Sequence, residues 1–260
     1  MCIEGAAWAK EGAIIHTQHK PKAPMNSICD IFLKGRLRIW QPARSEGYRF
    51  NLDPVLLAGY VPKTGRVLDL GSGCGILSLI LLARGQAMQA TSVEILPEMH
   101  ALLSRNVLEN NFSEVMFPVL GDVRDVDLGD ALFDWVVFNP PYFKAGSGQP
   151  SKSHARDVAR YERCGTLRDF VVCAARYLVP DGSMTAIVPA SRTLELQSLM
   201  IEQGFLHQHV CMIHTYDNKP ARHALISAKR SSLYTIDEEA PLITHLVEGG
   251  YTPEVLELLK

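Results

Sequence analysis

Short apolar runs and helix-spaced apolar stripes alternate along most of this chain. After Gly65, apolar runs at 66–70, 89–94, 115–120 and 133–138 read as strands, and a further run at 183–189 reads the same way. Between them, helical spacing covers 75–84, 97–111, 167–178 and 193–203, and two closing strands are expected at 207–214 and 223–229. Seven strands in alternation with helices predict a mostly parallel sheet with helices on both faces. Ahead of this core, short apolar runs around Gly35 predict a hairpin or bent strand over 30–41. Asp53-Pro54 followed by Val55, Leu56, Leu57 and Ala58 predicts a helix start, with an acidic cap and proline in the first turn.

Composition narrows the classes this pattern leaves open. Of 260 residues, 47% are hydrophobic and 21% charged, enough apolar material for a core and too much for a disordered chain. The formal net charge of −2 excludes a uniformly basic, nucleic-acid-coating protein but leaves room for a local basic patch. Six cysteines (Cys2, Cys29, Cys74, Cys164, Cys173, Cys211) lack any Cys-x-x-Cys spacing, which argues against a zinc knuckle or a disulfide framework. No apolar run reaches membrane-spanning length and no signal-peptide pattern opens the chain, so a cytoplasmic location is expected. Residues 1–28 lack periodicity and are expected to form a mobile extension, with Met25 resembling an independent start.

Candidate chemistry begins at Asp69-Leu70-Gly71-Ser72-Gly73-Cys74-Gly75, where three glycines follow the first core strand and precede a helix. Glycine permits a tight turn and close backbone approach by a ligand, and the helix start offers free N–H groups. Glu94 ends the next strand, 23 residues after Gly71, where an acid can accept hydrogen bonds from ribose hydroxyls. Asp122-Val123 follows the third strand, where an acid can meet an adenine amino group. In this order the residues resemble class I S-adenosylmethionine-dependent methyltransferases, which implies a Rossmann-like fold. That resemblance implies that Asp69, Gly71, Ser72, Gly73 and Gly75 border the methionine and sulfonium part of S-adenosylmethionine. It implies that Glu94 holds the ribose, and Asp122 and Val123 the adenine. The glycines alone also approximate a dinucleotide fingerprint, but their Gly-x-Gly-x-Gly spacing lacks the later glycine of that motif.

The most informative stretch is Phe133 to Tyr142, a strand ending in Asn139-Pro140-Pro141-Tyr142. Paired prolines stiffen the turn, Asn139 and Pro140 offer carbonyl acceptors, and Tyr142 offers an aromatic face. That combination suits methylation of a planar amino group: two acceptors orient a weakly nucleophilic nitrogen and favour the positive charge that develops on it. Tyr142 would stack on a displaced base. Neither a metal nor a covalent enzyme intermediate is required, and none of the dispersed histidines shows metal-ligand spacing.

Charge is segregated. Residues 144–168 and 34–49 each carry a net +4, leaving −10 for the remainder, as expected for a local polyanion-binding face. Arg38, Lys144, Lys152, Arg156 and Arg160 are the candidate substrate contacts. A narrower resemblance joins Gly47-Tyr48-Arg49, Asp53, Leu56-Leu57-Ala58, Asn139 to Phe143, Ala159-Arg160-Tyr161-Glu162, Asp217-Asn218-Lys219-Pro220-Ala221 and Tyr251 to Leu256. This set resembles the bacterial tRNA1(Val) (adenine-N6)-methyltransferase family from about residue 30 to the end. The resemblance implies N6-adenine methylation of RNA, a tRNA near its anticodon, with Tyr48 and Asp53 helping to close the cofactor pocket. On this reading 29–260 is one methyltransferase domain. Within it, 29–64 is an addition to the cofactor pocket, 65–230 the catalytic core and 231–260 a tail. A protein glutamine methyltransferase and a DNA adenine methyltransferase share the Asn-Pro-Pro-Tyr chemistry. The former resemble each other in a helical N-terminal domain for which too few residues precede Arg66. A non-catalytic cofactor- or RNA-binding module is the reading from outside enzymology.

Overall fold

Leu33, Lys34 and Gly35, all at positive φ (47°, 52° and 88°), reverse the chain between β1 (Ser27–Phe32) and β2 (Leu37–Pro42), an antiparallel hairpin. The computed structural model describes residues 26–43, 49–141 and 165–260. The expected mobile extension therefore falls almost wholly outside the described residues, as do Tyr48, Tyr142, Lys144, Lys152, Arg156 and Arg160. One face of the hairpin is anchored by Leu33, Leu37 and Ile39, all buried. Its free edge is met by a helix, α3 (Pro97–Glu109), and the turn after it. Asn106 Oδ1 accepts from the Trp40 N–H at 2.7 Å while its amide donates to the Trp40 carbonyl at 2.9 Å. One turn on, Asn110 does the same for Arg38, both bonds at 2.8 Å. A helical step of four residues rises about 6 Å and a strand step of two about 6.8 Å, so the two asparagines match alternate strand residues. They satisfy an edge that would otherwise present unpaired backbone groups.

The core follows the expected alternation. Helix α1 (Asp53–Gly59) leads into β3 (Arg66–Leu70), α2 (Ile76–Ala83) and β4 (Gln89–Glu94). After α3 come β5 (Met116–Leu120), β6 (Phe133–Phe138), α4 (Leu167–Tyr177), β7 (Leu178–Pro189), α5 (Thr193–Glu202), β8 (His207–His214) and β9 (Ala221–Lys229). The spatial order is β5-β4-β3-β6-β7-β9-β8, and only β9 of these seven runs antiparallel to its neighbours. Apolar residues fill both faces, as a sheet covered on two sides requires. Val67 and Ile187 join the core under α1, α2 and α3, whereas Leu68, Leu70 and Val188 join that under α4 and α5. The chain starts at β3 and winds first one way and then the other, which opens a crevice at the carboxyl ends of β3, β4 and β6.

Two features depart from the expected pattern. Strand β7 begins directly after α4, at Leu178 rather than at 183, because Leu178 already pairs with Phe133 before a register shift carries the ladder onward. Residues 231–260 are more than a tail. Strands β10 (Thr235–Glu238) and β11 (Leu242–Ile243) add to β8 in parallel, giving this sheet nine strands among the described residues. All four β10 side chains are exposed, so no apolar alternation announces it, and its conformation comes from backbone pairing. Helix α6 (Pro253–Leu258) then packs on α1 at Gly59, where a Cβ would lie 2.6 Å from Leu258 Cδ2.

Candidate active site

The glycine turn is stitched to the end of β4. The N–H groups of Gly71 and Ser72 both donate to the Val93 carbonyl, at 2.9 and 3.0 Å. Glu94 completes the attachment: Oε2 accepts from the Gly73 N–H and Oε1 from the Leu96 N–H, each at 2.8 Å. Burial pushes the Glu94 carboxyl above the usual range, and the N–H groups of Leu96, Gly73 and Ile95 pull the other way. Gly75, at φ 85°, caps α2 in the left-handed region that disfavours a side chain. A Cβ there would lie 2.4 Å from Leu103 Cδ1 and 3.0 Å from Met116 Cε. The requirement at Gly75 is thus close helix packing, while Gly71 and Gly73 line the cavity itself.

That cavity, of about 820 Å³, occupies the crevice above β3, β4 and β6 and lies within the usual size range of ligand sites. Asp69, Ser72, Glu94 and Asn139 line it together, as do Asp53, Pro140 and Pro141. Asp69 is buried and its Oδ2 accepts from the Ser78 hydroxyl at 2.8 Å. Burial raises its carboxyl to about 7, with the Ser78 hydroxyl and N–H opposing and Glu94 adding to the rise. An ordinary aspartate titrates near 3.9, so the fold disfavours the ionised form. Stability from this group is present below about pH 4 and lost as pH rises through 7. Asp69→Asn is expected to raise the unfolding midpoint of the ligand-free protein at pH 8, a gain of about 4 kcal/mol, and to leave it nearly unchanged at pH 4. Melts at the two pH values check this, and an equal difference at both would contradict it. Cys74 also lines the cavity, but burial pushes its thiol up to about 12, which leaves no thiolate nucleophile there.

Asn139 follows β6 directly, and the two prolines after it remove backbone donors from the turn. Its Oδ1 is buried and has no hydrogen-bond partner among the described residues. The Pro141 carbonyl accepts from Arg192 Nη1 at 3.4 Å. Arg192, buried in the short turn after β7, is held by Glu195 at 3.1 and 2.9 Å. Nothing in the sequence pattern marks this arginine, because 51 residues separate it from Pro141.

The cavity is also lined by residues to which the sequence pattern assigns no chemistry. His223, at the start of β9, lines the cavity with its Nδ1 4.0 Å from Asp53 Oδ1. Burial lowers its imidazole, Asp53 opposes this, and Arg222 adds to the lowering. Thr244, His245 and Tyr251 of the tail close the same wall.

Other expected contacts lie elsewhere. Asp122 and Val123 are not among the residues lining the cavity. The Asp122 carboxylate is paired with Arg124, whose Nε lies 2.9 Å from Oδ1. Burial would raise this carboxyl, but the bonds and charge of Arg124 outweigh it and hold it below the usual range. Val123 is buried, and a Cβ on Gly165 would lie 3.0 Å from its Cγ2. Arg38 sits on β2 beside Asn110, past the carboxyl end of α3, and is not among the residues lining the cavity. Among the described residues no helix is long and apolar enough to cross a membrane.

Seven of the nine strands, in the order β5-β4-β3-β6-β7-β9-β8 with β9 reversed, together with a glycine turn and an acid facing a crevice at the switch point, give the class I methyltransferase fold. The sequence model of the methyltransferase small domain matches residues 54–216, and the chain belongs to that family. A Porphyromonas gingivalis protein named tRNA1(Val) (adenine(37)-N6)-methyltransferase is 28% identical over 225 residues, covering 81% of this chain and 86% of that protein. Among solved structures, a predicted O-methyltransferase from Agrobacterium tumefaciens superposes with a TM-score of 0.63 at 24% identity, covering 79% of this chain and 94% of that one. Trm5 of Methanocaldococcus jannaschii in complex with adenosine gives 0.56 at 17% identity, covering 83% and 58%. These two share the fold.

Proposed function

We propose that this protein methylates N6 of an adenine in RNA, with a tRNA as substrate and S-adenosylmethionine as methyl donor. The observation that carries the reading is Asn139: a buried amide oxygen without a partner among the described residues, at the end of β6, on the same cavity as Asp69 and Glu94. An unsatisfied buried acceptor is costly, so a donor from a bound ligand is its natural complement. The name of the Porphyromonas relative supports the choice of adenine and tRNA.

The residues present fit the donor molecule. At Gly73 a Cβ would meet nothing nearer than Met99 Cε at 3.7 Å, and at Gly71 it would press on the Phe170 ring at 3.2 Å, so the turn keeps a bare backbone toward the cavity. Glu94 accepts backbone N–H groups through both oxygens and keeps acceptor capacity on the cavity side for ribose hydroxyls. Asp69 places a carboxyl where a cationic ligand favours its ionised form. When bound, S-adenosylmethionine supplies a methyl group on positively charged sulfur.

The chain's own part is orientation. Asn139 Oδ1 and the Pro140 carbonyl accept the two hydrogens of the target amine, turn its nitrogen toward the donor, and stabilise the charge that builds on it. Arg192 fixes the Pro141 carbonyl and so the turn that carries both acceptors. Tyr142 stacks on the base, and Lys144, Lys152, Arg156 and Arg160 approach the phosphates. Asp53 and Tyr48 complete the donor pocket.

The test is methyl transfer from labelled S-adenosylmethionine to separated tRNA, ribosomal RNA, DNA and release-factor protein, followed by nucleoside and amino-acid analysis. N6-methyladenosine recovered from tRNA is the expected product. Label in protein glutamine or in DNA alone would replace this reading.

A further inference from the structure

Away from the cavity, three metal-binding side chains converge on the outer part of the sheet. His207 and His209 lie two residues apart on β8 and so share one face, with rings stacked at 4.8 Å and 25° between planes. Asp237 is the register partner of His209 on β10. A single carboxylate oxygen, Asp237 Oδ2, stands 2.9 Å from His207 Nε2 and 3.5 Å from His209 Nδ1.

We propose that His207, His209 and Asp237 form a binding site for one divalent first-row transition ion of the zinc type. One ligand atom from each residue lies within 4.8 Å of the other two, so one ion can touch all three after small rotations. An ordinary His–Asp hydrogen bond needs one ring. Here two rings from one strand are held against the same oxygen. Two imidazoles and a carboxylate are the donor set of open zinc sites and of facial iron sites. Magnesium and calcium prefer all-oxygen shells.

Placement supports the assignment. The ligands stand on paired strands whose ladder fixes their spacing, rather than on a loop. They are part-exposed, with side-chain exposures of 26%, 42% and 55%, so an ion has access and water can fill the remaining positions. Lys229, in register with His207 on β9, is exposed, and its long stem lets the ammonium stay in solvent. The ion would clasp β10 to β8 and so fasten the chain leading to Thr244 and Tyr251. None of the three ligands lines the active-site cavity, so the site stands independently of the methyl-transfer reading.

The experiment uses the full chain without an affinity tag, stripped with chelator, and zinc chloride as titrant. One zinc per chain is expected, with an unfolding midpoint that climbs with zinc concentration as linkage requires. His209→Ala and Asp237→Asn should each weaken binding by about 10-fold or more while leaving the metal-free midpoint near that of wild type. Asp237→Asn keeps the residue's shape and decides the matter should the alanine variant misfold. Cobalt in place of zinc should give visible bands without thiolate charge transfer, which separates this site from the cysteines. Absence of zinc binding would overturn the proposal. So would wild-type zinc affinity in His207→Ala/His209→Ala and in Asp237→Asn, or a cobalt spectrum dominated by thiolate.

Discussion

Asn139→Ala should lower kcat by about 10²–10³ while leaving affinity for S-adenosylmethionine close to that of the wild type. The magnitude follows from removing one of two acceptors that act on developing charge, by analogy with loss of a single oxyanion-hole donor. The fold itself should bear the change well. Asn139 Oδ1 has no hydrogen-bond partner among the described residues, so truncation strands no donor there. The loss should therefore appear in kcat rather than in KM for RNA or in the unfolding midpoint. Single-turnover rates with saturating tRNA, alongside calorimetric titration of the cofactor, separate these quantities. Turnover near the wild-type rate with the cofactor still bound would remove Asn139 from the mechanism.

The largest structural effect is expected at a residue that touches neither substrate nor cofactor. Asn106 is fully buried and holds three backbone groups: the Trp40 N–H, the Trp40 carbonyl, and the Cys74 carbonyl at 2.9 Å. It thereby ties the N-terminal hairpin and the glycine turn to one helix. Asn106→Ala leaves those three groups unpaired at about 1–3 kcal/mol each, so a destabilisation of at least about 3 kcal/mol is expected. In a chain of this size that lowers the unfolding midpoint by about 10 °C or more. Asn110→Ala removes an equivalent pair of bonds to Arg38, but at the surface, where water replaces them, and should cost about 1 kcal/mol. Thermal melts of the two variants side by side test the argument: equal shifts would mean that burial at Asn106 does not decide the cost. Because the Cys74 carbonyl belongs to the glycine turn, Asn106→Ala should also weaken cofactor binding, an effect absent from Asn110→Ala.

The two asparagines illustrate how much of this protein could be read without coordinates. The core strands β3, β4 and β6 coincide with the apolar runs read from the chain, since each run is bounded by charge, glycine or proline that ends it abruptly. The helices agree to within two residues, for the same reason. Neither Asn106 nor Asn110 stands out in sequence, because asparagine in a helix signals nothing until the strand edge beside it is known. Asp122 is a different case. The Arg124 that engages its carboxylate stands only two residues away, so the competing local pair was visible in Asp122-Val123-Arg124 beside the adenine assignment. His223 and Asp53 meet although 170 positions separate them, and both were present as residues before either could be seen as a pair.

Local chemistry carried by neighbouring residues was thus determined by the sequence alone. The glycine turn, the Asn-Pro-Pro motif, the acid ending β4 and the alternation that makes a two-sided sheet all act within a few residues of one another. Backbone preference and apolar periodicity suffice for them. Tertiary structure alone decided which distant groups share a wall. It brought Arg192 to Pro141 and His223 to Asp53, converged His207 and His209 on Asp237, and laid the tail's Thr244 and Tyr251 along the cavity. The reason is physical. Such contacts depend on strand order, on register and on the pairing of exposed segments such as β10, which is held by backbone hydrogen bonds and carries no hydrophobic signature.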